Sequence, residues 1–192
     1  MNLKKMIGEK VILSPLDSRE YERIAGWIND LEVTLGTTLA ASNITLDKEA
    51  EILRSMEQGG RDFLIIARDS KQPIGTCGIT AWDQINQWAS VGIMIGEKSY
   101  HNQGCGTEAL SLLCDYCLNL LNCHSVRLEV YSYNWPAIAC YKKVGFEECG
   151  RFHRAKKIGG QWHDCILMEL LDQQFTSCWV KPAVERRMQV KV

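Results

Sequence analysis

The residues best placed to do chemistry lie in two clusters. The first is YHNQGCGTEAL, Tyr100 to Leu110. Gly104 and Gly106 stand one residue apart, directly before a helix-forming run. The first turn of a helix leaves backbone N–H groups without intrahelical partners. With the helix dipole, those donors attract anions, phosphates above all. Glycines remove the Cβ atoms that would keep a phosphate off the backbone. A plain tight turn would use the same residues, so the stretch alone supports both readings. Two familiar phosphate loops do not fit. A GxxxxGK[ST] pattern is absent, and GxGxxG fails because Ala109 stands where the third glycine would fall.

The second cluster is NWPAIACYKKVGF, Asn134 to Phe146. Asn134 suits a helix N-cap, and Pro136 suits the first turn, where its missing N–H does no harm. Asn134, Ala137 and Tyr141 are spaced by three and four, so they share one helix face. A core stripe would not choose Asn, and a surface stripe would not need Ala followed by Tyr. A groove for an extended ligand suits the amide, the methyl and the phenol together. A cap followed by a buried tyrosine is the alternative. A third candidate, Cys114 with Cys117, has no second ligand pair and sits in an apolar-periodic helix. It reads as core packing, and no metal is expected.

These clusters need elements to hold them. MIGEKVILSPL reads as a first strand ended by Pro15. Asp17 can cap the helix SREYERIAGWIND, and Thr45 or Asp47 can cap TLDKEAEILRSMEQGG, which Gly59-Gly60 stop. RDFLIIARD, QPIGTCGITAW and QWASVGIMIG read as three strands of an antiparallel meander. Helical periodicity returns from Thr107 to Leu121, where Leu110, Cys114, Cys117 and Leu121 form an apolar stripe and Asp115 lies off it. SVRLEVYS is a strand, NWPAIACYKKV a short helix, and two strands follow around Gly159-Gly160. The order β-αα-βββ-α-β-α-ββ predicts an α+β fold, a central mixed sheet flanked by helices. Periodicity fades after Leu171, so residues 1–171 are expected to form the domain and 172–192 a C-terminal tail.

Composition narrows the function class. The formal net charge of −1 argues against a nucleic-acid partner. No apolar run approaches a membrane span of about 20 residues. The nine cysteines are odd in number and scattered through apolar segments, which fits a reducing compartment better than a secreted disulfide framework. A cytoplasmic protein is expected.

VGIMIGEKSYHNQGCGTEAL followed by LEVYSYNWPAIACYKKVGF resembles the GNAT superfamily of acetyl-CoA-dependent N-acetyltransferases. The element order is also that of the family. SPLDSREYERIAGWIND and GFEECGRFHRAKKIGGQWHDCILMELL look like the branch of ribosomal-protein N-terminal and spermidine acetyltransferases. The resemblance spans residues 7–171 and is specific for the superfamily, not for the substrate. It implies that the loop His101, Asn102, Gln103, Gly104, Cys105, Gly106 and Thr107 holds the CoA pyrophosphate on backbone amides. Strand backbone near Met94 and Ile95 would pair with the pantetheine arm. Asn134 would hydrogen-bond the cofactor's amide chain, Ala137 would leave it room, and Tyr141 would protonate the departing thiolate.

Two positions depart from the family loop, Q/R-x-x-G-x-G/A. His101 replaces Gln or Arg, and Gln103 stands where the branch often has Lys or Arg. A phosphate there loses a cationic contact but keeps the backbone donors. The base is less defined. Ser90 takes the place where the branch often has Glu, and it could only order a water. Glu129 alternates with Leu128 and Val130 and so points away from their face. The resemblance makes it a candidate base, because some N-terminal acetyltransferases use a Glu at this spacing, twelve residues before the tyrosine; the alternative is an exposed strand carboxylate. Asp83, His153, His163 and Asp164 are candidates to shape the amine pocket, whereas Trp82 and Trp162 are expected to pack. The expected activity is transfer of acetyl from acetyl-CoA to a primary amine (a protein N-terminus, a polyamine or another small amine) by direct attack. The alternative is a GNAT-fold CoA sensor or scaffold without turnover. Homodimers are common in such families, and no residue pattern here establishes one.

Overall fold

A computed structural model describes residues 3–189. Residues 1–2 of the expected domain and 190–192 of the expected tail lie outside the described residues. The first expected strand is in fact a hairpin, β1 (Met6–Ile7) and β2 (Val11–Pro15). The polar run Gly8-Glu9-Lys10 breaks the apolar stretch, and Gly8 N–H closes the turn on Val11 O at 2.9 Å. Helices α1 (Tyr21–Ile28), α2 (Leu31–Thr34) and α3 (Leu46–Gly59) follow. Thr45, not Asp47, caps α3, its side chain accepting the N–H of Lys48. The meander is β3 (Asp62–Ala67), β4 (Pro73–Asp83) and β5 (Trp88–Ile95). After it come α4 (Cys105–Asn119), β6 (Ser125–Tyr131), α5 (Trp135–Val144), β7 (Glu147–Ile158), β8 (Gln161–Leu171) and α6 (Val180–Gln189).

The eight strands form one sheet in the order β1-β2-β3-β4-β5-β6-β8-β7. One core packs α4 and α5 on one face, with Leu110, Leu113, Leu128 and Val130 among its buried residues. A second core, with Ile24, Trp27, Leu53 and Leu64, packs α1 and α3 on the other. Coverage on both faces explains why β3 is apolar at successive residues rather than alternating. Cys114 and Cys117 are fully buried and unbonded, as core packing predicts.

Among the described residues all strand pairs are antiparallel except β5 with β6. That parallel pairing runs only from Trp88↔Ser125 to Ser90↔Arg127. Beyond it, β5 continues against β4 alone and β6 against β8 alone. The sheet therefore splits, and among the described residues no strand pairs with that backbone edge of β5 from Val91 to Ile95, where the Ile95 carbonyl instead meets His101 Nε2.

The last described helix is held by a buried carboxylate. Asp115 accepts from Ser177 Oγ at 2.7 Å, Trp179 N at 2.6 Å, Val180 N at 3.0 Å and Asn119 Nδ2 at 2.8 Å. It caps the start of α6 and is itself fully buried. Among the described residues no helix is long and apolar enough to cross a membrane.

Candidate active site

A cavity of about 540 Å³ opens at the split in the sheet. Met94 and Ile95 of β5, His101, Asn102, Gly104, Gly106 and Thr107 of the loop and α4, and Asn134 before α5 with Ala137 and Tyr141 of α5 all line it. The structure thus brings together two clusters separated in sequence by β6. Gln103, Cys105 and Glu129 do not line it. Cys105 is buried, and the Gln103 amide donates to Ser99 O.

The loop reaches its geometry by backbone means. Gly104 is the residue before α4 and has φ +83°, a left-handed conformation that side chains disfavour. Among the described residues, the N–H groups of Cys105, Gly106 and Thr107 bond to nothing, whereas Glu108 N reaches Gly104 O at 3.0 Å. Gly106 is not demanded by the fold itself. A Cβ there would meet Ile95 Cγ1 at 3.5 Å and Cys140 Sγ at 4.0 Å, ordinary contacts between cavity-lining residues. His101 turns its Nε2 to Ile95 O at 2.9 Å, and since a carbonyl can only accept, that nitrogen carries the proton. Both departures from the family loop are therefore engaged with backbone carbonyls of the chain.

On α5, Asn134 Oδ1 caps the helix by accepting Ala137 N–H at 3.3 Å. Its Nδ2 donates to Gly36 O at 3.1 Å, and Tyr133 Oη donates to Leu35 O at 2.8 Å. These bonds hold α2 and the segment after it along the cavity, where Val33 of α2 and Gly36 and Thr37 beyond it join the lining. The sequence reading missed this wall, because no local pattern connects residues 33–37 with Asn134. Tyr141 is 9% exposed, with its ring 6.2 Å from that of Phe146. Burial pushes its phenol well above the ordinary range. Its hydroxyl has no hydrogen-bond partner among the described residues. Burial also raises the Cys140 thiol, although Thr107 Oγ1 donates to it at 3.3 Å.

Ser90 is the last residue of β5 paired with β6, opposite Arg127. Glu129 follows two residues on, exposed, with Cys165 Sγ donating to it at 3.6 Å. Leu128 and Val130 belong to the core beneath α4, so Glu129 faces the other side of the sheet. Asp83, His153, His163 and Asp164 lie outside the cavity lining. Asp83 accepts the N–H groups of Ile85 and Asn86 in a turn, and Asp164 bonds Arg151 and Arg154. Trp82 packs against the core, whereas Trp162 is 48% exposed with Arg154 and Lys157 over its ring. Among the described residues no cluster of metal-ligating side chains occurs.

Comparison with known proteins matches residues 10–147 to the acetyltransferase (GNAT) domain. The chain is similar to the uncharacterized N-acetyltransferase p20 of Bacillus licheniformis, 25% identical over 90% of this chain and 99% of that protein. It is 28% identical to the spermidine N(1)-acetyltransferase of Escherichia coli K12 over 62% of each chain. The crystal structure of spermidine N-acetyltransferase from Vibrio cholerae in complex with CoA and spermine has a TM-score of 0.76 to this fold. It is 20% identical, covering 87% of this chain and 98% of that one. At that identity the likeness is one of fold.

Proposed function

The chain belongs to the GNAT acetyltransferase family, and on that premise we propose that it transfers acetyl from acetyl-CoA to a primary amine by direct attack. The observation that carries this reading is one cavity that joins unbonded helix N–H groups, an unpaired strand edge and a buried phenol. Acetyl-CoA is the cosubstrate, bringing the acetyl group activated as a thioester. The N–H groups of Cys105, Gly106 and Thr107 would hold its pyrophosphate, with His101, Asn102, Gln103 and Gly104 shaping the loop. The free edge of β5 near Met94 and Ile95 would pair with the amide-bearing arm. Asn134 keeps one N–H and one lone pair beyond its present bonds, enough to join that pairing. Ala137 leaves room beside it.

In the reaction the amine lone pair forms the new C–N bond and the C–S bond breaks. Tyr141 Oη–H gives its proton to the departing sulfur, a role that a raised pKa suits because the phenol stays protonated at neutral pH. The proton lost by the attacking nitrogen goes to Glu129 or to a water ordered at Ser90. Cys105 and Cys140 carry no acyl group on this reading. Burial raises both thiols, and no histidine bonds either one among the described residues.

The acceptor is a protein N-terminus, a polyamine or another small amine, and the spermidine enzymes among the similar proteins support the polyamine arm. A second reading, a CoA sensor without turnover, rests on Ser90 and on the loop's His101 and Gln103. Chromatographic detection of CoA released in the presence of spermidine, an amino sugar or a peptide with a free N-terminus separates the two. Release with any of them supports transfer. Tight acetyl-CoA binding without release across the panel supports the sensor.

A further inference from the structure

The turn between β1 and β2 lies outside the cavity lining, yet it is fastened to the loop that shapes the cavity. Glu108, in the first turn of α4, accepts the N–H of Glu9 at 2.8 Å and those of Lys10 and Val11 at 2.7 Å each. The fit is so close that a Cβ on Gly8 would stand 2.5 Å from Glu108 Cδ. Lys10 returns the contact, its Nζ donating to Gln103 O at 2.6 Å. The same ammonium lies 3.2 Å from where a Gly104 Cβ would be, against a residue that does line the cavity.

Charge gives these bonds a purpose. A carboxylate in the first turn suits the helix dipole but opposes an anion bound at that helix start. Three N–H groups hold the Glu108 carboxylate on the β1–β2 turn. The loop itself is short of cations: Gln103 is neutral, and Lys98 is paired with Asp30 at 3.0 Å and Glu32 at 2.6 Å. Lys143 lines the cavity from α5. Lys10 places a cation on the glycine side, beside Gly104 and Gln103 O, and its ammonium has three donors, of which Gln103 O uses one.

We propose that Lys10 belongs to the pyrophosphate site, supplying from the β1–β2 turn the positive charge that the glycine loop lacks, with Glu108 as its positioning residue. This rests on the reading of the loop as a CoA site. The test is calorimetric titration of the full chain and its variants with CoA and with dephospho-CoA, which keeps the pyrophosphate and lacks the ribose phosphate. Lys10→Met should weaken both ligands equally, by about five- to tenfold at low salt, with less effect as salt rises. Lys10→Arg should retain affinity, and Gln103→Lys added to Lys10→Met should restore it, which a merely structural role for Lys10 would not allow. Wild-type affinity in Lys10→Met overturns the proposal while the CoA reading stands. A loss confined to CoA with dephospho-CoA unaffected also overturns it, because the charge then serves the ribose phosphate. A wild-type chain that binds neither ligand removes the CoA reading itself, and this proposal with it.

Discussion

Replacing Tyr141 with phenylalanine removes one oxygen and leaves the rest of the side chain in the core beside Phe146. The hydroxyl has no hydrogen-bond partner among the described residues, so no bond is lost. The oxygen is not among the buried side-chain atoms left without a partner, and Tyr141 lines the cavity, so its removal relieves no desolvated group and Tyr141→Phe should lie within about 0.5 kcal/mol of the parent. For a chain of this size that is a Tm change of no more than about 2 °C. The chemical step should respond very differently. A general acid contributes about 10²–10⁴-fold, so kcat should fall by that factor, about 2.7–5.4 kcal/mol on the barrier. The assay is initial-rate CoA release at saturating acetyl-CoA and amine, followed by chromatography because the protein's free thiols would react with a thiol reagent. The pH dependence has a defined sign. An acid must be protonated to act, and burial raises this phenol above its ordinary value near 10. Wild-type activity should therefore show no alkaline loss from Tyr141 below about pH 10. A folded Tyr141→Phe variant with unchanged kcat would refute the acid assignment.

Three further perturbations separate the remaining roles. Gly106→Val places its first carbon in ordinary contact but its branches in the cavity, so KM for acetyl-CoA should rise about tenfold or more with Tm little changed; steady-state kinetics and a melt check both. Asp115→Ala leaves the N–H groups of Trp179 and Val180 without their acceptor and should cost about 2–4 kcal/mol, seen as faster amide exchange through α6. Burial works to raise the Asp115 carboxyl, but hydrogen bonds from Val180, Ser177 and Trp179 hold it below the usual carboxylate range. Its stabilisation should thus be complete above the unfolded value of about 4 and vanish as pH falls through the lower folded value, a loss that urea titrations of Asp115→Asn should not repeat. Glu129→Gln should lower kcat at neutral pH by about 10²-fold or more if the carboxylate is the base; unchanged kcat removes Glu129 as the base and leaves a water at Ser90 or another residue.

The two chemical clusters are legible in the sequence because each is local. A glycine pair before a helix, or an amide, a methyl and a phenol at helical spacing, is a property of a dozen consecutive residues. What binds the clusters to the rest of the molecule is not local. Glu108 reads as an ordinary first-turn acid, and its partners lie 97 to 99 residues away. Asp115 falls off the apolar stripe and reads as solvent-facing, yet it is buried because the start of α6 covers it. The turn at Gly8-Glu9-Lys10 closes on a backbone bond from Gly8 N–H to Val11 O, which side-chain patterning does not record.

The split in the sheet belongs to the same non-local class, and the proposed chemistry depends on it. Tyr141 sits in the core on the α4 side, whereas Glu129 points to the opposite face. Strict alternation along a continuous sheet would keep these groups on separate sides of a closed layer. The gap begins just beyond Ser90 and Arg127, one residue before Glu129 is reached on β6. On the proposed reading, only there can a thioester approached from the α4 side meet an amine entering from the Glu129 face. The proton donor for sulfur and the proton acceptor for nitrogen then lie on opposite sides of one bond exchange and do not neutralise each other directly. A substitution that extended the β5–β6 pairing past Ser90 should therefore abolish transfer while leaving both Tyr141 and Glu129 intact, and amide exchange along Val91–Ile95 would report the closure.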